Sequence, residues 1–94
     1  MPILYCCIVN SRRRIIVEGV DKRYMANYKE YVFEHYNNFE MFAKKTLILD
    51  EKFNLHYHHQ GSWVIVCISQ KPDVTILEAF NFIDRVKQAF LDAN

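Results

Sequence analysis

Trp63-Val64-Ile65-Val66-Cys67-Ile68-Ser69 is a run without a single charged residue, and Ile3-Leu4-Tyr5-Cys6-Cys7-Ile8-Val9 is its counterpart near the amino terminus. A strand points successive side chains to opposite faces, so a run that is apolar at nearly every position predicts burial on both sides. Two such runs predict the middle of a sheet, lying side by side, with the other elements arranged around them. Asn10-Ser11-Arg12-Arg13 is a polar turn, and residues 14–20 return as a hairpin mate that Glu18 and Gly19 mark as more exposed. Phe53, Leu55, Tyr57 and His59 alternate with Asn54, His56, His58 and Gln60, the period-two pattern of a half-exposed strand. Thr46-Leu47-Ile48-Leu49-Asp50 is a short strand expected at one edge of the sheet.

Between residues 21 and 45 the period changes. Met25, Tyr28, Val32, Tyr36, Phe39 and Ala43 recur every three or four residues, which predicts one long helix with Asp21 as its N-cap and Lys44-Lys45 at the negative end of its dipole. Tyr24, Tyr31, His35 and Phe42 fall on one flank of that stripe, so the apolar arc is wider than packing on one sheet requires. Lys71-Pro72-Asp73 breaks the chain, and Thr75-x-x-Glu78 is a capping box opening a last helix. That helix presents Ile76, Ala79, Phe80, Ile83, Val86 and Phe90 on one face and Glu78, Arg85 and Asp92 on the other. The order β-β-α-β-β-β-α predicts an α+β domain over residues 1–94, with a five-stranded, mainly antiparallel sheet and helices on both faces.

Composition agrees with this and excludes several classes. The chain of 94 residues is 51% apolar and 15% aromatic, enough for one core and too much for a disordered segment. Only two glycines and two prolines are present, which fits a β-sandwich poorly. Twelve basic against eleven acidic residues leave a formal charge of +1, so no nucleic-acid partner is expected. Cys6, Cys7 and Cys67 are an odd set without CxxC spacing and read as reduced, buried thiols of a cytoplasmic protein. No apolar stretch approaches the ~20 residues of a membrane span, and no positively charged segment precedes the apolar start as in a signal peptide.

Four constellations carry possible chemistry. In His56-Tyr57-His58-His59, His56 and His58 point the same way in a strand, yet nothing in the sequence is placed to complete a metal site, so a solvated face and no metal are expected. Cys67 and Ser69 lack an evident base, and the GxSxG, phosphate-loop and HExxH patterns are absent, so neither enzyme activity nor a cofactor is expected. Arg12, Arg13 and Arg14, with Lys22-Arg23, suit phosphate or anionic lipid head groups and read as a solvated hairpin tip. The fourth is a groove between the first helix and the third strand. Tyr31 and Phe42 flank that helix, and Leu47 and Leu49 sit on the edge strand, an apolar patch rimmed by charge that reads either as a partner-binding site or as core covered by a further helix or ordinary packing of the same chain.

The element order, the opening Met-x-Ile-Leu-Tyr, and Val66-Cys67-Ile68-Ser69 leading into Ala79-Phe80-Asn81-Phe82-Ile83-Asp84-Arg85-Val86-Lys87-Gln88-Ala89-Phe90 resemble longin domains. These are the profilin-like amino-terminal domains of vesicle R-SNAREs, and the resemblance is nearest to the vesicle-associated membrane protein 7 group. It implies a regulatory module of membrane traffic at the cytosolic face of endomembranes, associated with the membrane indirectly. Its partners would be a SNARE helix, in cis or in trans, or adaptor and coat segments, held by Leu47, Leu49, Tyr31 and Phe42. Longin domains usually continue with a third helix, a SNARE heptad region and an anchor, none of which appears before Asn94. The expectation is therefore an excised domain, a longin protein without its SNARE part, or a relative of the small adaptor and tethering-complex subunits that act by assembly. Without the third helix part of one sheet face would be uncovered, which would favour a homodimer.

Overall fold

The computed structural model describes residues 3–21, 27–49, 51–71 and 74–93. They form β1 (Ile3–Asn10), β2 (Ile15–Val20), α1 (Tyr28–His35), a 3-10 turn (Tyr36–Asn38), β3 (Lys44–Ile48), β4 (Phe53–His59), β5 (Trp63–Gln70) and α2 (Ile76–Asp92). The domain is a small α+β unit with one five-stranded antiparallel sheet in the order β2-β1-β5-β4-β3. The two runs apolar on both sides are neighbours at its centre, with Cys6 opposite Cys67 and Ile8 opposite Ile65. Tyr24 and Met25 of the expected helix, Lys22 and Arg23 of the basic cluster, and Asp50, Pro72 and Asp73 lie outside the described residues.

Alternation along the strands divides the core in two. Tyr5, Cys7 and Val9 of β1 join Val64, Val66 and Ile68 of β5, Leu55 and Tyr57 of β4, Tyr28 and Val32 of α1, and Phe39 in one cluster. Ile8 of β1 and Ile65 and Cys67 of β5 join Val74 and Ala79 and Ile83 of α2 in the other, with Cys6, Phe80, Val86 and Phe90 packed against it.

The long helix expected over residues 21–45 is not formed. α1 ends at His35, one 3-10 turn follows, and Phe39 is extended at φ −72° and ψ 119°. Asn37 and Asn38 explain the stop, since asparagine competes for backbone hydrogen bonds and disfavours a helix interior. The N-cap of α1 is Asn27; Asp21 instead donates its N–H to the Leu4 carbonyl at 2.9 Å, extending the β1–β2 pairing. Lys44 and Lys45 open β3, which therefore runs two residues earlier than residues 46–50. The stripe nevertheless reaches the core, because Tyr28, Val32, Tyr36, Phe39 and Ala43 all pack in or against the first cluster. Spacing by three and four is satisfied equally by two helical turns and an extended segment laid along the same core.

On α2 the capping box is present: Glu78 N–H donates to Thr75 Oγ1 at 3.1 Å and Thr75 N–H to Glu78 Oε1 at 3.3 Å. Ile76, expected on the apolar face, is half exposed because the first turn projects beyond the sheet-facing residues Ala79 and Ile83. Burial on this helix makes a direct prediction. Ile83→Ala removes a side chain with no exposed surface and is expected to lower stability by about 2–5 kcal/mol in urea unfolding. Leu77→Ala, six residues earlier and largely exposed, is expected to change it by no more than about 0.5 kcal/mol.

Candidate functional site

Three of the four groove residues lie along one seam. Tyr31 of α1 packs on Phe53 of β4 with ring centroids 6.5 Å apart. Leu47 of β3 stands opposite Leu55, and just past β3 Leu49 donates its N–H to the Phe53 carbonyl at 3.1 Å. Tyr31, Leu47, Leu49 and Phe53 are half-buried and pack against the first core cluster, leaving a shallow depression lined by Tyr31, Glu51, Lys52 and Phe53. Phe42 does not join them. Because the helix has ended, it lies in the turn before β3, at φ 61° and 72% exposed, with its ring over Gly61 of the β4–β5 turn.

The histidine strand corrects a second expectation, since its supposed solvated face is buried. Partner positions place Gly19, Cys6, Cys67, His56 and Thr46 in one row across all five strands. His56 has no exposed surface. Thr46 Oγ1 lies 2.8 Å from its Nδ1 and Ser69 Oγ 2.8 Å from its Nε2, while Phe80 of α2 meets its ring edge-on at 5.9 Å. One hydroxyl per ring nitrogen satisfies a neutral imidazole, and burial pushes its pKa down to about 4. His58 is also buried and its pKa is lowered, first by burial and then by Lys44 and Lys87. Its Nε2 contacts the Gln60 side chain, and its Nδ1 has no hydrogen-bond partner among the described residues. His59 Nδ1 accepts the Gly61 N–H at 2.9 Å. The signal for this burial is Ser69, a hydroxyl near the end of an otherwise apolar central strand.

Ser69, His56 and Thr46 have the atom types of a nucleophile and its base, but Ser69 and His56 have no surface a substrate could reach. Burial pushes the thiols of Cys6 and Cys7 up to about 12 and that of Cys67 upward as well, which suppresses the thiolate needed for nucleophilic attack. Among the described residues no group of three His, Cys, Asp or Glu side chains is placed to hold a metal ion, and no helix is long and apolar enough to cross a membrane.

A surface absent from the sequence reading is a trench between α2 and the β1–β2 hairpin. Ile8, Val17 and Val86 line two adjoining parts of it, Ile16 and Phe90 extend one end, and Gly19 and Phe82 the other. A Cβ on Gly19 would meet nothing within 4 Å, so the missing side chain leaves that end open. The bulge between Ile8 and Val9 places Ile16 and Val17 together in the trench, a consequence of register that alternation alone does not reveal. No protein-family model matches the chain, and no curated protein matches it in sequence.

The buried imidazole makes stability depend on pH with a definite sign. Its pKa is near 6.5 when unfolded and about 4 when folded, so between these values the unfolded chain binds the extra proton. The contribution is full above pH 6.5 and is lost as pH falls toward 4, amounting to at most about 3 kcal/mol. Urea midpoints of wild type and His56→Gln are expected to diverge in slope across this window, the variant showing the shallower decline.

Proposed function

We propose that this chain is a non-enzymatic protein-interaction domain of longin type, regulating vesicle-mediated membrane traffic at the cytosolic face of endomembranes. The division of the core, with α1 serving one cluster and α2 the other, supports the profilin-like arrangement in which helices cover both faces of the sheet. The observation that carries the reading is the half-buried apolar seam of Tyr31, Phe53, Leu47 and Leu49 beside an edge strand. In this reading a SNARE helix, in cis or in trans, or an adaptor or coat segment lies along α1 and β3. Its apolar anchors displace water from the seam. An extended ligand also finds the outer backbone groups of β3, which no strand among the described residues pairs. The groove itself reaches the membrane only through the partner it holds, and the binding needs no cofactor.

A second reading, assembly through a second copy, is favoured by the opposite edge. Ile16, Val17 and Val20 of β2 are 49%, 47% and 47% exposed, whereas β3 begins with Lys44 and Lys45, the charged residues that protect an edge from pairing. The readings separate experimentally. Leu47→Ser with Leu49→Ser is expected to weaken capture of a SNARE-helix peptide about tenfold or more while the domain still unfolds cooperatively; loss of folding would assign both leucines to the core. Sedimentation at micromolar concentration is expected to give a monomer for the first reading. A dimer converted to monomer by Val17→Lys would favour the second.

A further inference from the structure

Three loops are pinned together at one end of the sheet. Ser11 N–H of the β1–β2 turn donates to the Ser62 carbonyl of the β4–β5 turn at 3.0 Å. Arg13 of the same turn hydrogen-bonds Asn37 and lies over the Tyr36 ring, 5.1 Å from its centroid, which ties it to the segment leaving α1. That segment makes a tight turn in which Ala43 N–H donates to the Glu40 carbonyl at 3.2 Å. The turn is fixed to β4 on both sides, since Glu40 N–H donates to Tyr57 Oη at 3.0 Å and His59 N–H to the Ala43 carbonyl at 2.9 Å.

The two central residues of this anchored turn are Met41 and Phe42, exposed by 64% and 72%. Phe42 has φ 61°, at a turn position that normally takes glycine or asparagine and is strained for an aromatic residue. Gly61, at φ 89°, complements it: a Cβ there would stand 3.1 Å from the Phe42 ring. A strained backbone thus holds out a large apolar side chain where a small polar one would fit without strain, which points to a use for that side chain.

Beside this turn lies a cluster of positive charge. Arg12, Arg13 and Arg14 are exposed, and none of them has a carboxylate partner among the described residues. Their turn is rigid, because Asn10 Oδ1 accepts the N–H groups of both Arg12 and Arg14, at 2.9 and 3.0 Å. Glu40, the carboxylate of the neighbouring turn, is held by Lys45 at 2.6 Å.

We propose that this end of the domain docks directly on a membrane surface bearing anionic phospholipids. The three arginines meet the head groups, and Met41 and Phe42 insert at the boundary with the acyl chains. Cations attract the chain to an anionic leaflet, and an exposed aromatic residue is stabilised where apolar and wet layers meet. A nucleic-acid strand would use the arginines but has no use for the methionine, and base stacking calls for a platform of several rings. The inference does not depend on the α1–β3 groove: the orienting surface is a different one, and it places the domain against the bilayer without a bound partner.

Co-sedimentation with phosphatidylcholine vesicles, with and without phosphatidylserine, tests it. The chain is expected to pellet only with the anionic vesicles and to be released by added salt. Arg12→Glu with Arg14→Glu is expected to reduce binding about tenfold or more, as head-group attraction is lost at two positions. Phe42→Asn gives the sharper discrimination: asparagine suits the positive φ, so the melting temperature holds or rises while vesicle binding falls about tenfold. Leu77→Ser, an exposed apolar position on α2, is expected to bind as wild type does. Failure of the wild-type chain to distinguish the two vesicles overturns the proposal. So does a Phe42→Asn variant that binds normally, since the site would then be a phosphate contact without insertion.

Discussion

Two strands without a polar face, paired at the middle of the sheet, are the constraint on which the rest of this structure depends. On one side Cys6 meets Cys67 and Ile8 meets Ile65; on the other Cys7 meets Val66 and Val9 meets Val64. At roughly 25 cal/mol for each Å² of apolar surface kept from water, neither set is stable when solvated. Each set has acquired its own partners, Tyr28, Val32 and Phe39 for one and Ala79 and Ile83 for the other. The polar groups that interrupt the Cys6–Cys67 side must satisfy each other, because a buried donor or acceptor left unpaired costs about 1–3 kcal/mol. Thr46, His56 and Ser69 do so as one hydrogen-bonded chain beneath Phe80.

What can be read from the chain depends on the range of the interaction that decides it. Strand order was legible because burial on two sides is written residue by residue in β1 and β5, and the α2 cap because Thr75 and Glu78 act within one turn. The length of α1 was not, because Tyr36, Phe39 and Ala43 keep a helical spacing while Asn37 and Asn38 let the backbone leave the helix. His56 misled for a different reason. A histidine alternating with apolar residues looks solvated until Thr46 and Ser69, remote in sequence, are seen to satisfy its ring. The same distinction divides the groove residues: Tyr31, Leu47 and Leu49 lie along one seam, whereas Phe42 was assigned by a helical period that ends before it.

The exposed apolar and basic surfaces lie at the margins, away from the central pair. β2 and β3 are the outermost strands among the described residues, and their edges differ in character, apolar on β2 and lysine-bearing on β3. The turns of the Arg12 and Phe42 end carry exposed side chains at the margin of the core, and hydrogen bonds to β4 and between loops hold them in place. A rigid centre with distinct, separately anchored margins is compatible with the interaction role proposed above.

Amide hydrogen exchange on the isolated chain tests the primacy of the central pair most directly. The amides of β1 and β5 that bond to one another are expected to exchange last and together, with the outward amides of β2 exchanging well before them. Protection of β2 equal to that of β1, or early exchange along β5, would contradict a fold organised from the β1–β5 pair outward.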